Sequence, residues 1–140
     1  MIRSRASVTV RYAETDMMGV VYHANYLPWF EIGRTTLLKE IGISYRDLEA
    51  EGFRLPVLEV SARYLRPARY DDALEVLTVL KERPLVRIRL EYEVRRGEEL
   101  LATGQTVHAF VDREGGIVRP PAWVTRRFAE KLRANAESAP

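Results

Sequence analysis

The fold of this chain is decided by residues 12–34, which read YAETDMMGVVYHANYLPWFEIGR. An acidic turn closed by Gly19 leads into a segment that is apolar on almost every side and follows Asn25, a good helix N-cap. Pro28 falls in the first helical turn, where its missing N–H costs no hydrogen bond, and Gly42 follows the last apolar residue. The pattern predicts a long helix that other elements, above all a sheet, wrap on every side.

The remainder of the chain predicts an antiparallel sheet. Residues 86–95 alternate apolar and charged side chains at every position, as in a strand with one buried and one wet face. Short polar connections such as Arg96-Gly97 favour antiparallel neighbours. The predicted strands are residues 7–11, 58–64, 73–81, 86–95 and 100–111, with a short helix at 44–50 and a polar C-terminal helix at about 125–136. We therefore predict a single α+β domain over residues 1–140, with a sheet of five or six strands.

Composition narrows the classes of function. The chain has no cysteine, which fits a reducing, cytoplasmic compartment, and it has no apolar run long enough for a membrane span. Its net charge is only +2, and its arginines alternate with glutamates, so a nucleic-acid partner is not expected. Nucleotide-binding glycine loops, serine-hydrolase motifs and metal-ligand spacings are missing from the sequence. We expect neither a metal nor a cofactor.

Two acidic residues and a histidine precede the predicted helix and are candidates for chemistry. A carboxylate of Glu14 or Asp16 could act as a general base or a nucleophile, while free N–H groups of the first helical turn could polarise a carbonyl oxygen. His23, just before the helix cap, is a third candidate. The alternative is purely structural, because Asp16 also fits an Asx-type turn closed by Gly19.

The quoted stretch resembles a known family signature. Residues 12–34 are similar to the opening motif of the hotdog-fold acyl-CoA thioesterases, in the 4-hydroxybenzoyl-CoA thioesterase-like group and most nearly its YbgC branch. Residues 64–72, which read YLRPARYDD, are similar to the same group, and the order of elements matches over residues 7 to about 118. The resemblance implies a hotdog fold, with a long central helix wrapped by an antiparallel sheet.

The resemblance also implies an activity and an assembly. It implies hydrolysis of an acyl-CoA or acyl-carrier thioester to a free acid and a thiol, in a homodimer or homotetramer with the site between subunits. Asp16 matches the family's catalytic aspartate, and His23 and Tyr12 match positions that the YbgC branch implicates in catalysis. We expect Asp16 either to activate water or to attack the thioester, with N–H groups near His23 and Ala24 polarising the carbonyl.

Several charged residues have less specific expectations. Glu31 and Arg34 are spaced for an ion pair within the helix, and His108 is expected to be a satisfied polar residue in or near the core. Arginine supplies 19 of the 22 basic residues, and its planar group suits phosphate. The candidates for the phosphates of CoA, from this chain or its neighbour, are Arg63, Arg66, Arg87 and Arg89.

Two other functions stay open at the level of sequence. A dehydratase on the same fold would use a histidine and a carboxylate at the start of the helix, and would remove water from a hydroxyacyl thioester. A non-catalytic module would bind acyl-CoA or a carrier protein without releasing thiol. Thiol release separates both from a thioesterase.

Overall fold

The computed structural model describes residues 1–137; residues 138–140 of the predicted domain lie outside this range. In chain order, its elements are β1 (Ile2–Thr9), α1 (Tyr26–Glu40), α2 (Tyr45–Ala50), β2 (Val57–Tyr64), β3 (Ala73–Leu80), β4 (Arg87–Arg96), β5 (Glu99–Ala109) and α3 (Ala122–Glu137). This order confirms the predicted α+β architecture, and the sheet has five strands. Across the described residues, no helix is long and apolar enough to cross a membrane.

The sheet is antiparallel throughout, with the strand order β1-β3-β4-β5-β2. α1 lies across one face and packs mainly on β1 and β3. Over β4, the ring of Phe30 stacks on Tyr92, with 4.5 Å between ring centroids and an interplanar angle of 12°. Tyr92 pairs with Gly104 of β5, and the missing side chain of that glycine leaves room for the Phe30 ring. The core therefore lies between α1 and one face of the sheet.

The first strand begins earlier than predicted. β1 starts at Ile2 instead of Ser7, and Ile2 and Ser4 are its buried positions while Arg3 and Arg5 are exposed. The alternation between buried and exposed positions is present from the start of the strand. Because the inward residue Ser4 is polar, a search for alternating apolar residues does not detect this part of the strand. The other strands begin and end within two residues of their predicted positions.

The C-terminal helix also begins earlier than predicted. α3 starts at Ala122 instead of Thr125, directly after Pro121, whose carbonyl accepts the N–H of Val124 at 3.0 Å. Val124 and Phe128 are buried and attach the helix to the core. The prediction relied on threonine as a cap, whereas the helix starts directly after the proline pair at 120–121.

α1 is not wrapped on every side, contrary to the prediction. Leu27 and Ile32 on the helix are 42% and 43% exposed. On the edge strand β2, Val60 and Tyr64 face the same side of the sheet as α1, and each is 48% exposed. An apolar pattern in a sequence does not distinguish burial within one chain from burial by a second chain. The edge beside β2 therefore leaves apolar surface uncovered in the single chain.

Replacing Gly104 with alanine should lower the free energy of unfolding by about 1–3 kcal/mol, because the added methyl would overlap the Phe30 ring. Urea unfolding measures the loss. Thr103→Ala is the matched control, since Thr103 is the adjacent residue and faces away from α1. Adding Phe30→Leu to Gly104→Ala should recover part of the loss. A Gly104→Ala variant as stable as the parent would contradict this packing.

Candidate active site

Asp16 lies in a tight turn between two short antiparallel segments. Thr15 and Val21 pair across the turn, and the Asp16 N–H donates to the carbonyl of Val20 at 2.9 Å. Gly19 closes the turn with a φ of +76°, a left-handed conformation that glycine adopts without strain. The N–H of Gly19 donates back to the Asp16 carbonyl at 3.0 Å. These contacts fix the backbone from which the Asp16 side chain projects.

The Asp16 carboxylate is held through one oxygen only. Its Oδ1 accepts the N–H of Met18 at 2.9 Å, so the Asx-type turn considered from the sequence is present. Within residues 1–137, Oδ2 accepts no hydrogen bond, and the residue is half-buried. The turn therefore orients the carboxylate and leaves one oxygen free. Such a group can accept a proton from water or attack a carbonyl carbon.

Glu14 has a different environment, although it lies only two residues before Asp16. Its side chain is buried, with Oε1 accepting the Arg11 N–H at 2.8 Å and Oε2 accepting the indole N–H of Trp29 at 2.9 Å. Its backbone carbonyl accepts the N–H of Tyr22 at 2.9 Å and the side-chain amide of Asn25 at 2.7 Å. Glu14 therefore ties the chain before Asp16 and the chain after Asp16 to the start of the helix. Of the two candidate carboxylates, it is the structural one.

The helical segment begins before α1, and Asn25 is not its cap. A 3-10 turn over His23–Asn25 continues directly into α1, and Asn25 already has helical angles, with φ −74° and ψ −9°. The cap position is Tyr22, which is extended. In the part of the chain that the structure describes, no acceptor bonds to the N–H of His23 or of Ala24. These two free amides are the N–H groups predicted to polarise the carbonyl of the thioester.

A pocket of about 390 Å³ opens beside the start of the helix. His23, Val20, Tyr64 and Arg66 contribute to its wall. The Tyr64 hydroxyl donates to the carbonyl of His23 at 3.1 Å and ties the end of β2 to the helix start. Val20 connects the wall to the turn, because its carbonyl accepts the N–H of Asp16. The structure thus brings His23 and Arg66 together, with the Asp16 turn adjoining them.

The other predicted arginines lie elsewhere. Arg63 of β2 and Arg87 and Arg89 of β4 occupy positions that face away from α1, because successive side chains of a strand alternate between its two faces. They do not line the pocket that contains His23 in the same chain. Arg66 differs because it follows the end of β2, where the chain turns back toward the helix start.

Two tyrosines differ in how well the sequence located them. Tyr12 is 78% exposed, and its ring packs against the ring of Tyr70, at 5.7 Å between centroids. It does not line the pocket in this chain. Tyr64 was not predicted as a site residue, although it holds His23. The available signal was its position as the last inward residue of β2 and the first residue of the YLRPARYDD motif.

Two further expectations concern polar residues of α1 and β5. Glu31 and Arg34, both in the described range, do not form the predicted ion pair. Among the described residues, the buried Arg34 Nε has no hydrogen-bond partner. Burial raises the pKa of Tyr92, and the positive charge of Arg34 offsets part of that rise. The expectation for His108 is confirmed, since it is buried, lies 2.9 Å from the hydroxyl of Thr106, and has its pKa lowered by burial.

Comparison with known proteins finds relatives over most of the chain. A family model described as the thioesterase-like superfamily matches residues 10–128, which include both motifs compared in the sequence analysis. The Bacillus subtilis protein YneP is 38% identical over 112 residues, covering 79% of this chain and 81% of YneP. The acyl-CoA thioester hydrolase YbgC of Escherichia coli is 36% identical over 105 residues, covering 75% of this chain and 69% of YbgC.

A solved structure supports the same conclusion about the fold. The chain is similar to a DHNA-CoA thioesterase from Staphylococcus aureus, with a TM-score of 0.88 and 31% sequence identity, over 98% of this chain and 95% of that one. The match confirms the predicted hotdog architecture.

Replacing Glu14 with glutamine should lower the free energy of unfolding by about 1–3 kcal/mol, because the new amide group places a donor against the N–H of Arg11 or of Trp29. Asp16→Asn should change stability little, since asparagine keeps an oxygen for Met18. Glu75→Gln, at an exposed glutamate, is the surface control. Urea unfolding compares the three variants, and equal stability of Glu14→Gln and the parent would contradict the anchoring role.

Proposed function

The chain belongs to the thioesterase-like superfamily, and we propose that it uses Asp16 to hydrolyse the thioester bond of acyl-CoA substrates. Hydrolysis of an acyl-CoA thioester is the activity that the name of the similar YbgC protein states. The protein is accordingly an acyl-CoA thioesterase. The observation that supports Asp16 is a carboxylate that, among the described residues, has one oxygen anchored and one free, in a turn that leads to two amides without an acceptor there.

The reaction follows from these groups. The carbonyl oxygen of the thioester accepts hydrogen bonds from the N–H groups of His23 and Ala24, which stabilise the negative charge that develops there. Asp16 Oδ2 either takes a proton from the attacking water or attacks the carbonyl carbon itself to give a mixed anhydride that water then opens. In both routes a C–O bond forms, the C–S bond breaks, and the thiolate leaves without a strong acid.

The side chains of His23 and Tyr12 complete the proposed catalytic set. His23 lines the pocket, and its carbonyl is fixed by Tyr64, so its ring is positioned to contact substrate. Tyr12 is highly exposed and lies outside the pocket of its own chain. Its proposed contact with substrate therefore requires a second subunit.

We also infer a homodimer formed through the free edge of β2, with dimers pairing into a homotetramer. Within the part of the chain that the structure describes, β2 pairs with β5 alone, so its other side offers unpaired backbone groups. The exposed apolar side chains beside it would be buried by a second copy related by two-fold symmetry.

The absence of cysteine from the sequence supports a cytoplasmic location.

Asp16→Asn and Asp16→Ala should each lower turnover of an acyl-CoA by at least about a hundredfold, because the proton acceptor or nucleophile is lost. Release of free thiol measures the effect. Asp112→Asn is a matched control, since Asp112 also accepts backbone N–H groups in a turn, from Glu114 and Gly116, but lies away from the pocket.

The same assay decides against the assignment if both Asp16 variants release thiol at close to the parent rate. Loss of water from a hydroxyacyl thioester without thiol release would indicate the dehydratase. Tight binding of acyl-CoA by the parent with no chemistry at all would indicate the non-catalytic module.

Val60→Lys should prevent dimer formation and abolish most thiol release, because a charge would be buried in the apolar part of the interface. Sedimentation should then give a mass below that of the parent, down to the 16.1 kDa of the single chain. Ser61→Lys is the matched control, on the same strand but the opposite face of the sheet. A Val60→Lys protein with the parent's mass would contradict this interface.

A further inference from the structure

We propose that Glu99 and Arg96 are positioning residues that hold Arg66 beside the pocket, where Arg66 binds a phosphate group of the CoA thioester. The proposal rests on the proposed function and extends it to a specific phosphate-binding residue. It also separates Arg66 from the other three candidates, Arg63, Arg87 and Arg89, which face away from α1.

The four residues Arg66, Glu99, Arg96 and Asp72 form an alternating arginine–carboxylate chain. Arg66 Nη1 donates to Glu99 Oε2 at 3.2 Å. Arg96 Nη2 donates to both oxygens of Glu99, at 3.1 and 3.2 Å, and Arg96 Nη1 donates to Asp72 Oδ2 at 2.7 Å. Charges of opposite sign therefore follow one another from the pocket wall to the loop before β3.

The far end of the arginine–carboxylate chain is fixed to the backbone. Asp72 Oδ2 also accepts the N–H of Arg69 at 2.8 Å, and Arg96 Nη1 reaches the carbonyl of Pro67 at 3.3 Å. Burial opposes ionisation of Asp72, but the hydrogen bonds from Arg69 and Arg96 outweigh it and lower the pKa of its carboxyl. The hydrogen bond from Arg96 likewise lowers the pKa of Glu99. Both carboxylates are thus charged at neutral pH.

Arg66, at the near end, is fixed through its backbone, while its side chain keeps most of its donors available. The N–H of Arg66 donates to the carbonyl of Leu101 at 3.0 Å, as does the N–H of Leu65 at 2.8 Å. A guanidinium group has five N–H donors. Among the described residues, the Arg66 side chain uses one of them, toward Glu99, and it is 64% exposed. Arg66 is therefore oriented without being saturated.

The two arginines differ in what remains available to a ligand. Arg96 contacts Asp72, Glu99 and the carbonyl of Pro67, and its side chain is 29% exposed. Arg66 has one side-chain acceptor among residues 1–137 and lines the pocket. Because Arg96 offsets the charge of Glu99, Glu99 can orient Arg66 without repelling an incoming anion. Phosphate fits the remaining donors of Arg66, since arginine binds its oxygens in pairs.

Two thioesters of the same acyl group test the proposal. One carries CoA, and the other carries N-acetylcysteamine, which has no phosphate. Arg66→Ala should raise the KM for the CoA ester about tenfold or more, and Glu99→Gln about threefold or more, with kcat within about twofold of the parent. Neither variant should change kcat/KM for the N-acetylcysteamine ester. Glu98→Gln, at the adjacent exposed residue, should behave as the parent.

The double variant shows whether Glu99 acts through Arg66. Arg66→Ala with Glu99→Gln should be no worse on the CoA ester than Arg66→Ala alone. If Glu99→Gln weakens both esters equally, or leaves the KM for the CoA ester unchanged, the positioning role is wrong. If Arg66→Ala leaves that KM unchanged, Arg66 is not the phosphate ligand.

Binding separates this proposal from the proposed function. Calorimetry with desulfo-CoA, which cannot react as a thioester, should show weaker binding for Arg66→Ala and Glu99→Gln and parent-like binding for Glu98→Gln. Equal affinity in all three variants and the parent would overturn the proposal even if thiol release is normal. If the parent releases no thiol from either ester, the proposed function fails, while the binding result still decides the role of Arg66.

Discussion

The buried carboxylate of Glu14 is the interaction on which the arrangement of the site depends. Its two oxygens accept the backbone N–H of Arg11 and the indole N–H of Trp29, at 2.8 and 2.9 Å. A buried carboxylate is costly unless its oxygens are hydrogen-bonded. The bond from Trp29 fixes where the loop docks on α1, and the bond from Arg11 closes the short turn that carries Glu14. Together these bonds set the direction in which the chain leaves toward Asp16 and returns to the helix start.

The two acidic residues of the loop show how environment separates identical chemical groups. Glu14 is buried, and both of its oxygens accept hydrogen bonds from fixed donors. Asp16 has one oxygen held by Met18 and one unoccupied within the described residues. The sequence presents both as candidate bases, because the partner that distinguishes them, Trp29, lies fifteen residues from Glu14. The choice between them follows from tertiary contact and not from local spacing.

What the sequence predicts correctly is what short-range physics determines. The strict alternation of residues 86–95 locates β4 to within one residue, and the signals around Pro28 locate α1. The failed prediction of an ion pair within α1 depends on longer-range contacts. The spacing of Glu31 and Arg34 allows an ion pair, but Arg34 lies one turn after Phe30 and is therefore carried toward Tyr92. Among the site predictions, geometry groups His23 with Arg66, which no periodicity could do.

The excess of arginine over lysine also acquires a physical explanation from the contacts. Arg96 reaches Asp72 with one terminal nitrogen and Glu99 with the other, because its planar group holds donors in fixed, separate directions. A lysine has a single nitrogen and could not span both carboxylates in this way. Such bridging occupies both terminal nitrogens of Arg96, whereas Arg66, with one acceptor among the described residues, keeps most of its donors. Composition counts these two residues alike, although the acceptors around them among the described residues differ in number.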